Sequence, residues 1–471
     1  MQQKTPPPHE ASILNIEPVV GEAQLPSTRV HRRFYLTVPV KFTVAILLAI
    51  AWTTLSVWLS QRWLVDLAHI TNWPFALIAI SFIAYVPGFM NAFLISTLAF
   101  DRRPPRKGLT TYPAVTILVA AYNEAAAIRD TLTSLSRQNY KGTLEILVLN
   151  DGSTDDTVAI ANKAIEDLSI PANFTMRVLD YEVNAGKAAV LNRGLALASH
   201  DLVATIDGDS WVREDGITQI VERYVNDPLN TRAVAGAVMV RNSRHNFLTR
   251  AQEWDYFHGI AAIKRMQSMY HGTLVAQGAF SLYQRDALNS VGGWPECVGE
   301  DIVVSWALLE QGHRIGYAED ALAFTNVPTT LKQFTLQRKR WSRGLIEAFK
   351  AYPGLLFKPR LTTLFIWWNL FFLPLDLVYT FIFIPGLVLA LFGHFWIAGP
   401  MTLAVLPLAA LWNLFIFRIQ RNMFHGEGLK VRQNFGGFLF YAIGYSLLMQ
   451  PVSVWGYAAE ALGMTKKWDT K

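Results

Sequence analysis

Residues 73–100 run for 28 positions without a charged side chain. At about 1.5 Å of rise per residue a helix of that length exceeds a hydrocarbon layer of about 30 Å. A soluble core helix rarely goes so far without a charge, so the stretch is expected to cross a membrane. Residues 43–60 form a second charge-free run; further apolar runs cover 361–391, interrupted by Asp376, then 401–417, and 435–462, interrupted by Glu460. Arg32, Arg33 and Lys41 precede the first run, and Arg102, Arg103, Arg106 and Lys107 follow the second. Positive flanks stay cytoplasmic, so the two amino-terminal runs should form a hairpin with everything after Asp101 inside the cell. Residues 1–33, with Pro6, Pro7 and Pro8 and little apolar periodicity, read as a disordered cytoplasmic tail, too long and polar to open a cleaved signal peptide.

The carboxyl-terminal third follows the same rule. Arg418, Arg421, Lys430 and Arg432 mark 418–432 as a cytoplasmic loop, which makes 361–391 cross once, with an interfacial start before Pro374. A break at Gln450-Pro451 is expected to split the last run into a re-entrant or short hairpin, returning Lys466, Lys467 and Lys471 to the cytoplasm. The division is therefore a tail at 1–33, two membrane helices at 34–107, a soluble domain at 108–345, and an interfacial helix with about three or four membrane segments at 346–471. The expected location is the inner (plasma) membrane, multi-pass, with the soluble domain cytoplasmic. The chain is only 17% charged overall, against about a quarter in soluble proteins, and that average conceals an ordinary domain between nearly uncharged flanks. The net charge of +6 sits on membrane flanks, so nucleic acid is not an expected partner. Cys297 is the lone cysteine, which excludes an intramolecular disulfide.

Within the middle domain, residues 115–120 and 144–149 are short Val/Ile/Leu runs of the kind found in parallel strands buried on both faces, and each precedes a turn and a helix-like stretch. That alternation predicts βαβ units and a doubly wound sheet, whose ligands bind beyond the carboxyl ends of the strands. Those ends carry Tyr122, Asn123 and Glu124, then Asn150, Asp151, Gly152 and Ser153, and after a strand at 202–206, Asp207, Gly208 and Asp209. Two carboxylates two residues apart repel each other unless a cation or donors intervene, and a hard divalent ion shared with substrate phosphate fits such a pair. Asn184-Ala185-Gly186-Lys187 opens a further helix, where backbone N–H groups and a lysine could meet phosphate, although the P-loop pattern is absent.

Five motifs in order, Ala121-Tyr122-Asn123-Glu124, Asn150 to Thr157 (NDGSTDDT), Asp207-Gly208-Asp209 as a DxD, Gly299-Glu300-Asp301, and Gln337-Arg338-Lys339-Arg340-Trp341 as QxxRW, resemble the inverting family 2 glycosyltransferases, in particular the processive membrane polysaccharide synthases. The resemblance covers residues 108–345 and implies an α/β GT-A (Rossmann-like) catalytic domain inserted between transmembrane helices. It implies that Tyr122, Glu124, Asp151, Lys187 and Asp207 bind the nucleotide sugar, and that Asp209 with Asp207 places Mg2+ or Mn2+ on the diphosphate. Asp301 becomes the general base, with Gln337, Arg340 and Trp341 as its catalytic companions; Gly278, Trp294, Glu300 and Trp341 become acceptor-side residues. Taken alone, Glu300-Asp301 also fits an acidic first turn favoured by the helix dipole. On a helix Gln337, Arg340 and Trp341 share one face, which can offer an amide, a guanidinium and an indole. Lys339 and Arg343 are expected to turn toward lipid headgroups.

The architecture most resembles the poly-β-1,6-N-acetylglucosamine synthases, with a chitin- or hyaluronan-type synthase, or non-processive sugar transfer to a lipid carrier, as alternatives. The partners implied are a UDP-sugar, UDP-GlcNAc foremost, the growing polysaccharide, membrane lipids and a small accessory membrane subunit, with synthesis coupled to export. Trp468-Asp469-Thr470-Lys471 resembles a Trp-Gly-Thr-basic element that closes over the nucleotide in hyaluronan synthases, with Asp469 in place of Gly.

Overall fold

The computed structural model describes residues 16–18, 36–101, 107–426, 429–431 and 433–465. The tail expected at 1–33 falls almost wholly outside them, as do Arg102, Arg103, Arg106, Arg432, Lys466, Lys467 and the element from Trp468 to Lys471. An eight-stranded sheet forms the middle domain: β1 (Val115–Ala121), β2 (Leu144–Asp151), β3 (Phe174–Tyr181), β4 (Leu202–Asp207), β5 (Trp211–Val212), β6 (Thr231–Val240), β7 (Phe280–Gln284) and β8 (Arg314–Thr325), in the order β3-β2-β1-β4-β7-β6-β8-β5. The half built from β1 to β4 is parallel, as the strand–helix alternation requires. The other half departs from the expected doubly wound sheet: β7 runs antiparallel to both β4 and β6. The alternation stops after the helix Gly216–Asn226, and the long helical passage between β6 and β7 brings the chain back in the reverse direction.

Register sets the rim. Ala121 pairs with Asn150 and Ala120 with Asp207, so the carboxyl ends of β1, β2 and β4 lie side by side. The sheet is buried on both faces. Val115, Ile117, Val119, Ile146 and Val148 enter one core cluster, while Leu118, Leu147 and Leu149 enter another that continues into the apolar helices through Tyr270, Phe93, Phe365 and Trp368. Tyr270 is the joint: its ring meets Phe42 edge-on at 5.0 Å, and its hydroxyl lies 3.0 Å from Thr97 Oγ1. Arg265 pairs with Asp101 just beyond the helical run that ends at Ala99. The sheet domain and the apolar helices thus share one core.

Among the described residues three helices are long and apolar enough to cross a membrane: Val38–Leu59, Trp73–Ala99 and Thr363–Leu391. The first two pack as the expected hairpin, with Gly88 against the Trp52 indole. A short helix, Gln61–Ile70, lies between them. The pair Phe435–Ile443 and Tyr445–Ala461 also qualifies together, bent by 52°. The bend falls at Gly444 and not at Gln450-Pro451, where Pro451 is accommodated inside the second helix. Glycine is a poor helix former, by about 1 kcal/mol relative to alanine, and at this position it lets Phe440 approach closely. The basic stretch expected as a loop from residue 418 is helical as far as Gly426, because Pro400–Gly426 continues through Arg418 and Arg421. Asp376 is buried, as an ionisable group in an apolar run should be, and accepts a hydrogen bond from Tyr457 at 2.8 Å.

The helix Leu331–Ala351 connects these parts. It meets the start of the helix Glu300–Glu310 at Gly299 and Gly344, where a Cβ on Gly344 would lie 2.7 Å from Gly299 Cα, and Gly299 N–H donates to Glu347 Oε2 at 2.9 Å. Only a pair of glycines lets the backbones come so close. Gly344→Ala should therefore lower stability by about 1–3 kcal/mol through overpacking, read as a drop in the thermal unfolding midpoint in detergent; an unchanged midpoint would show that the helices separate without cost.

Candidate functional site

The first two strand ends are fastened to each other. Asn123, at φ 55°, donates its N–H to Ser153 Oγ at 2.9 Å and accepts from Thr154 N–H at 2.8 Å; Glu124 N–H donates to Thr157 Oγ1 at 2.7 Å. Asp155 completes the clasp by accepting from the N–H groups of Ala125 and Thr157. Tyr122 is left 46% exposed beside it. Gly208 is required at the third end, since a Cβ there would lie 3.0 Å from both Ala120 O and Glu124 Cγ.

Asp151 stands at the rim but is only 4% exposed, and its two oxygens accept from Ala185 N–H at 2.8 Å and Gly186 N–H at 2.9 Å. Two of the backbone donors expected to meet phosphate, those of Ala185 and Gly186, are thus engaged by Asp151. Lys187 also turns to protein: its ammonium is 2.5 Å from Asp207 Oδ1 and 3.7 Å from Glu300 Oε1. Burial opposes the charge of Lys187, but Asp207 and Glu300 outweigh it and raise its pKa above the ordinary value. Burial pushes the Glu300 carboxyl up to about 7, partly countered by Lys187. Lys187 therefore bridges the DxD and the Glu300-Asp301 pair. Gly278 allows that bridge, because a Cβ there would lie 2.6 Å from Lys187 Nζ.

Glu300 and Asp301 do occupy the acidic first turn of their helix. Asp301 Oδ2 accepts from Gly278 N–H at 3.3 Å and Oδ1 from Ile302 N–H at 2.8 Å, which fixes the carboxylate at the helix N-terminus facing the start of β7. Buried Lys264 donates to the Val275 carbonyl; burial pushes its ammonium down to about 8, with the charge of Asp301 acting in the other direction. Asp209 Oδ1 accepts from Thr325 Oγ1 at 3.2 Å. From the QxxRW helix the charge of Arg340 reaches Glu300 and Tyr256, and Gln337 Oε1 is buried without a hydrogen-bond partner. Trp341 is 37% exposed and lies 6.3 Å from the Tyr256 ring. Asp207, Asp209, Glu300, Asp301 and Arg340 are thereby gathered around one rim.

Two expectations fail on geometry. Trp294 is 2% exposed, edge-on to Tyr283 at 5.5 Å, with its backbone clamped by both ends of the Asn192 amide; it fills the core and presents no face to a sugar. Arg343 does not turn toward lipid: it is buried, 3.2 Å from Glu460 Oε2, and donates to the Met464 and Thr465 carbonyls. Lys339 lies over the Trp455 ring at 3.9 Å. Sequence reasoning missed Lys264, Tyr256, Asp255 and Arg338, although Arg338 stands inside the QxxRW motif, four residues after Phe334 on the same helix.

Residues 116–292 match the model of glycosyl transferase family 2. The chain is 34% identical over 275 residues to the poly-beta-1,6-N-acetyl-D-glucosamine synthase of Staphylococcus aureus (strain COL), covering 56% of this chain and 65% of that protein. It is 35% identical over 231 residues to the synthase of the same name from Staphylococcus epidermidis, covering 49% and 54%. The chain thus spans less than two thirds of the length of these relatives. A solved mannosyltransferase from Pyrobaculum calidifontis, in complex with GDP-Man and Mn2+, shares the fold at a TM-score of 0.55 and 18% identity, over 84% of this chain and 99% of that one. Residues 116–292 thus carry the match to glycosyl transferase family 2, within a GT-A fold set between apolar helices.

Proposed function

We propose that the chain is a membrane-embedded inverting glycosyltransferase that polymerises poly-β-1,6-N-acetylglucosamine from UDP-GlcNAc, with its catalytic domain on the cytoplasmic side of the inner membrane. The observation that carries this reading is the convergence of Asp207, Asp209 and Asp301 with the QxxRW helix at one rim, in a chain 34% identical over 275 residues to a synthase of that polymer. The apolar helices and the basic residues Lys41 and Lys107 at their edges support the orientation.

The chemistry follows from the residues. Asp301 takes the proton of the acceptor hydroxyl while its oxygen attacks the anomeric carbon, and the bond to the diphosphate breaks on the opposite face. Asp207 and Asp209 would hold a divalent ion of the kind that binds one or two protein carboxylates together with substrate phosphate; among the described residues no group of three His, Cys, Asp or Glu side chains forms a closed cage. Such an ion, Mg2+ or Mn2+, supplies Lewis-acid stabilisation to the departing UDP. Arg340 and the Gln337 amide add donors to that diphosphate, Tyr122 and Glu124 receive the base, and Trp341 offers the face on which the acceptor sugar stacks. Lys187, paired with Asp207 at 2.5 Å, would be placed to donate to the diphosphate if a bound ion shared that carboxylate.

Three measurements test this. Purified full-length protein with a divalent ion and a panel of labelled UDP-sugars should convert UDP-GlcNAc to a long polymer whose linkage analysis gives β-1,6 bonds; lipid-linked monosaccharide, or another sugar, would replace the reading. Asp301→Asn should lower transfer by roughly 10²- to 10⁴-fold with UDP affinity unchanged by calorimetry, and near wild-type polymer synthesis would remove Asp301 as base. Trp341→Ala should depress elongation more than UDP-sugar hydrolysis, and equal losses would count against stacking.

A further inference from the structure

Arg338 is an expensive residue to keep. Its side chain is fully buried in the middle of the QxxRW helix, with only Nη2 satisfied, 2.8 Å from Asp255 Oδ2 and 3.0 Å from Tyr445 Oη; Nε and Nη1 have no partner. A buried guanidinium with idle donors is a poor way to fill space, since an apolar side chain of similar volume would do so without the desolvation penalty. The flat face of the group explains its retention. It lies 4.0 Å from the centre of the Trp341 indole and 5.2 Å from that of Phe334. A desolvated guanidinium over an indole fixes the ring's tilt, which an aliphatic neighbour cannot do with comparable directionality.

What holds Arg338 comes from outside its own helix. Asp255 opens the π-helical stretch Asp255–Ala262, whose next residue, Tyr256, also borders Trp341. Tyr445 follows Gly444, the position at which the apolar helix pair bends by 52°, and its hydroxyl donates to the same Asp255 oxygen at 3.1 Å. The hydrogen bonds of Arg338 go to these two residues and not to the rim carboxylates. A continuous set of polar and stacking contacts therefore runs from the indole at the rim to the bend in an apolar helix pair.

We propose that Arg338 is a positioning residue, held by Asp255 and Tyr445, that fixes Trp341 as the acceptor platform and ties the platform to the bent helix pair, so that chain elongation depends on this triad while donor cleavage does not. The inference rests on the reading of Trp341 given above. It assigns function to residues on three separate elements.

The test uses full-length protein in nanodiscs with UDP-GlcNAc and Mn2+, reading polymer length and yield beside UDP release without acceptor. Arg338→Lys keeps the charge and loses the planar face; Tyr445→Phe removes one hydroxyl and leaves packing intact. Arg338→Lys should lower elongation by roughly 10- to 100-fold, with UDP release within about twofold of wild type. Tyr445→Phe should show a smaller loss of the same kind, and the double variant should be no worse than Arg338→Lys alone, because both act through one contact set. Equal losses in both readouts would mark the triad as merely structural and overturn the proposal, as would wild-type polymer from both single variants. Trp341→Ala run alongside separates the two readings: if it loses elongation while Arg338→Lys and Tyr445→Phe do not, only the triad falls, whereas if it elongates normally the platform reading itself is wrong.

Discussion

Carboxylates crowded onto one rim are the constraint around which the structure is arranged. Asp207, Glu300 and Asp301 come from a strand end and a helix start far apart in sequence, and unscreened they would repel one another. Lys187 stands between Asp207 and Glu300, buried and held charged by both. A lysine rather than an arginine suits that place, since a compact ammonium on a flexible stem can release one partner and take another. Glu300, deprived of water, keeps a pKa near 7 even with this neighbour. The carboxylate bearing no bridge to Lys187, Asp301, instead receives backbone N–H groups from Gly278 and Ile302. The strand end that bears Asp207 and the helix start that bears Glu300 are thus joined through one cation.

Much of this was legible in the sequence because strand ends impose their own logic. A run such as residues 144–149 can only be a strand buried on both faces, and whatever follows it is delivered to the rim; the positions of Asp151, Asp207 and Asp209 follow from that. The apolar helices were legible for the same reason, since the absence of charge over 28 residues leaves few alternatives. What failed were inferences from residue type without knowledge of partners. Trp294 reads as a sugar platform only until Asn192 is seen to clamp its backbone and Tyr283 to cover its ring. Arg343 reads as a headgroup ligand until Glu460, from the last helix, is placed beside it. Partners more than a hundred residues away leave no local mark. The bend at Gly444 was misplaced because proline is the louder signal, yet Pro451 lies inside a continuous helix packed against its neighbours, where a proline is tolerated.

The mixed half of the sheet was hidden for a related reason. Periodicity reports burial and not direction, so β7 carries no sequence feature that distinguishes an antiparallel from a parallel strand. Its direction matters to the site: β7 begins at Phe280, so Gly278 and Ala279 stand beside the end of β4, where the N–H of Gly278 reaches Asp301 and the carbonyl of Ala279 accepts from Asp207 N–H. A parallel strand in that position would bring its other end to the rim and leave Asp301 without the Gly278 donor.

These features meet in the helix Leu331–Ala351. Its contact with the Glu300–Glu310 helix is set by two glycines, its Arg343 and Lys350 both reach Glu460 on the last apolar helix, and its Arg338 reaches Tyr445 at the start of the same helix. Three charged side chains along this helix thus tie it to both ends of a single partner, because Tyr445 stands at the start of the last apolar helix and Glu460 near its end. Gln337, Arg340 and Trp341 stand on the helix so tied, and the rim is therefore built jointly by the GT-A domain and the apolar helices packed against it.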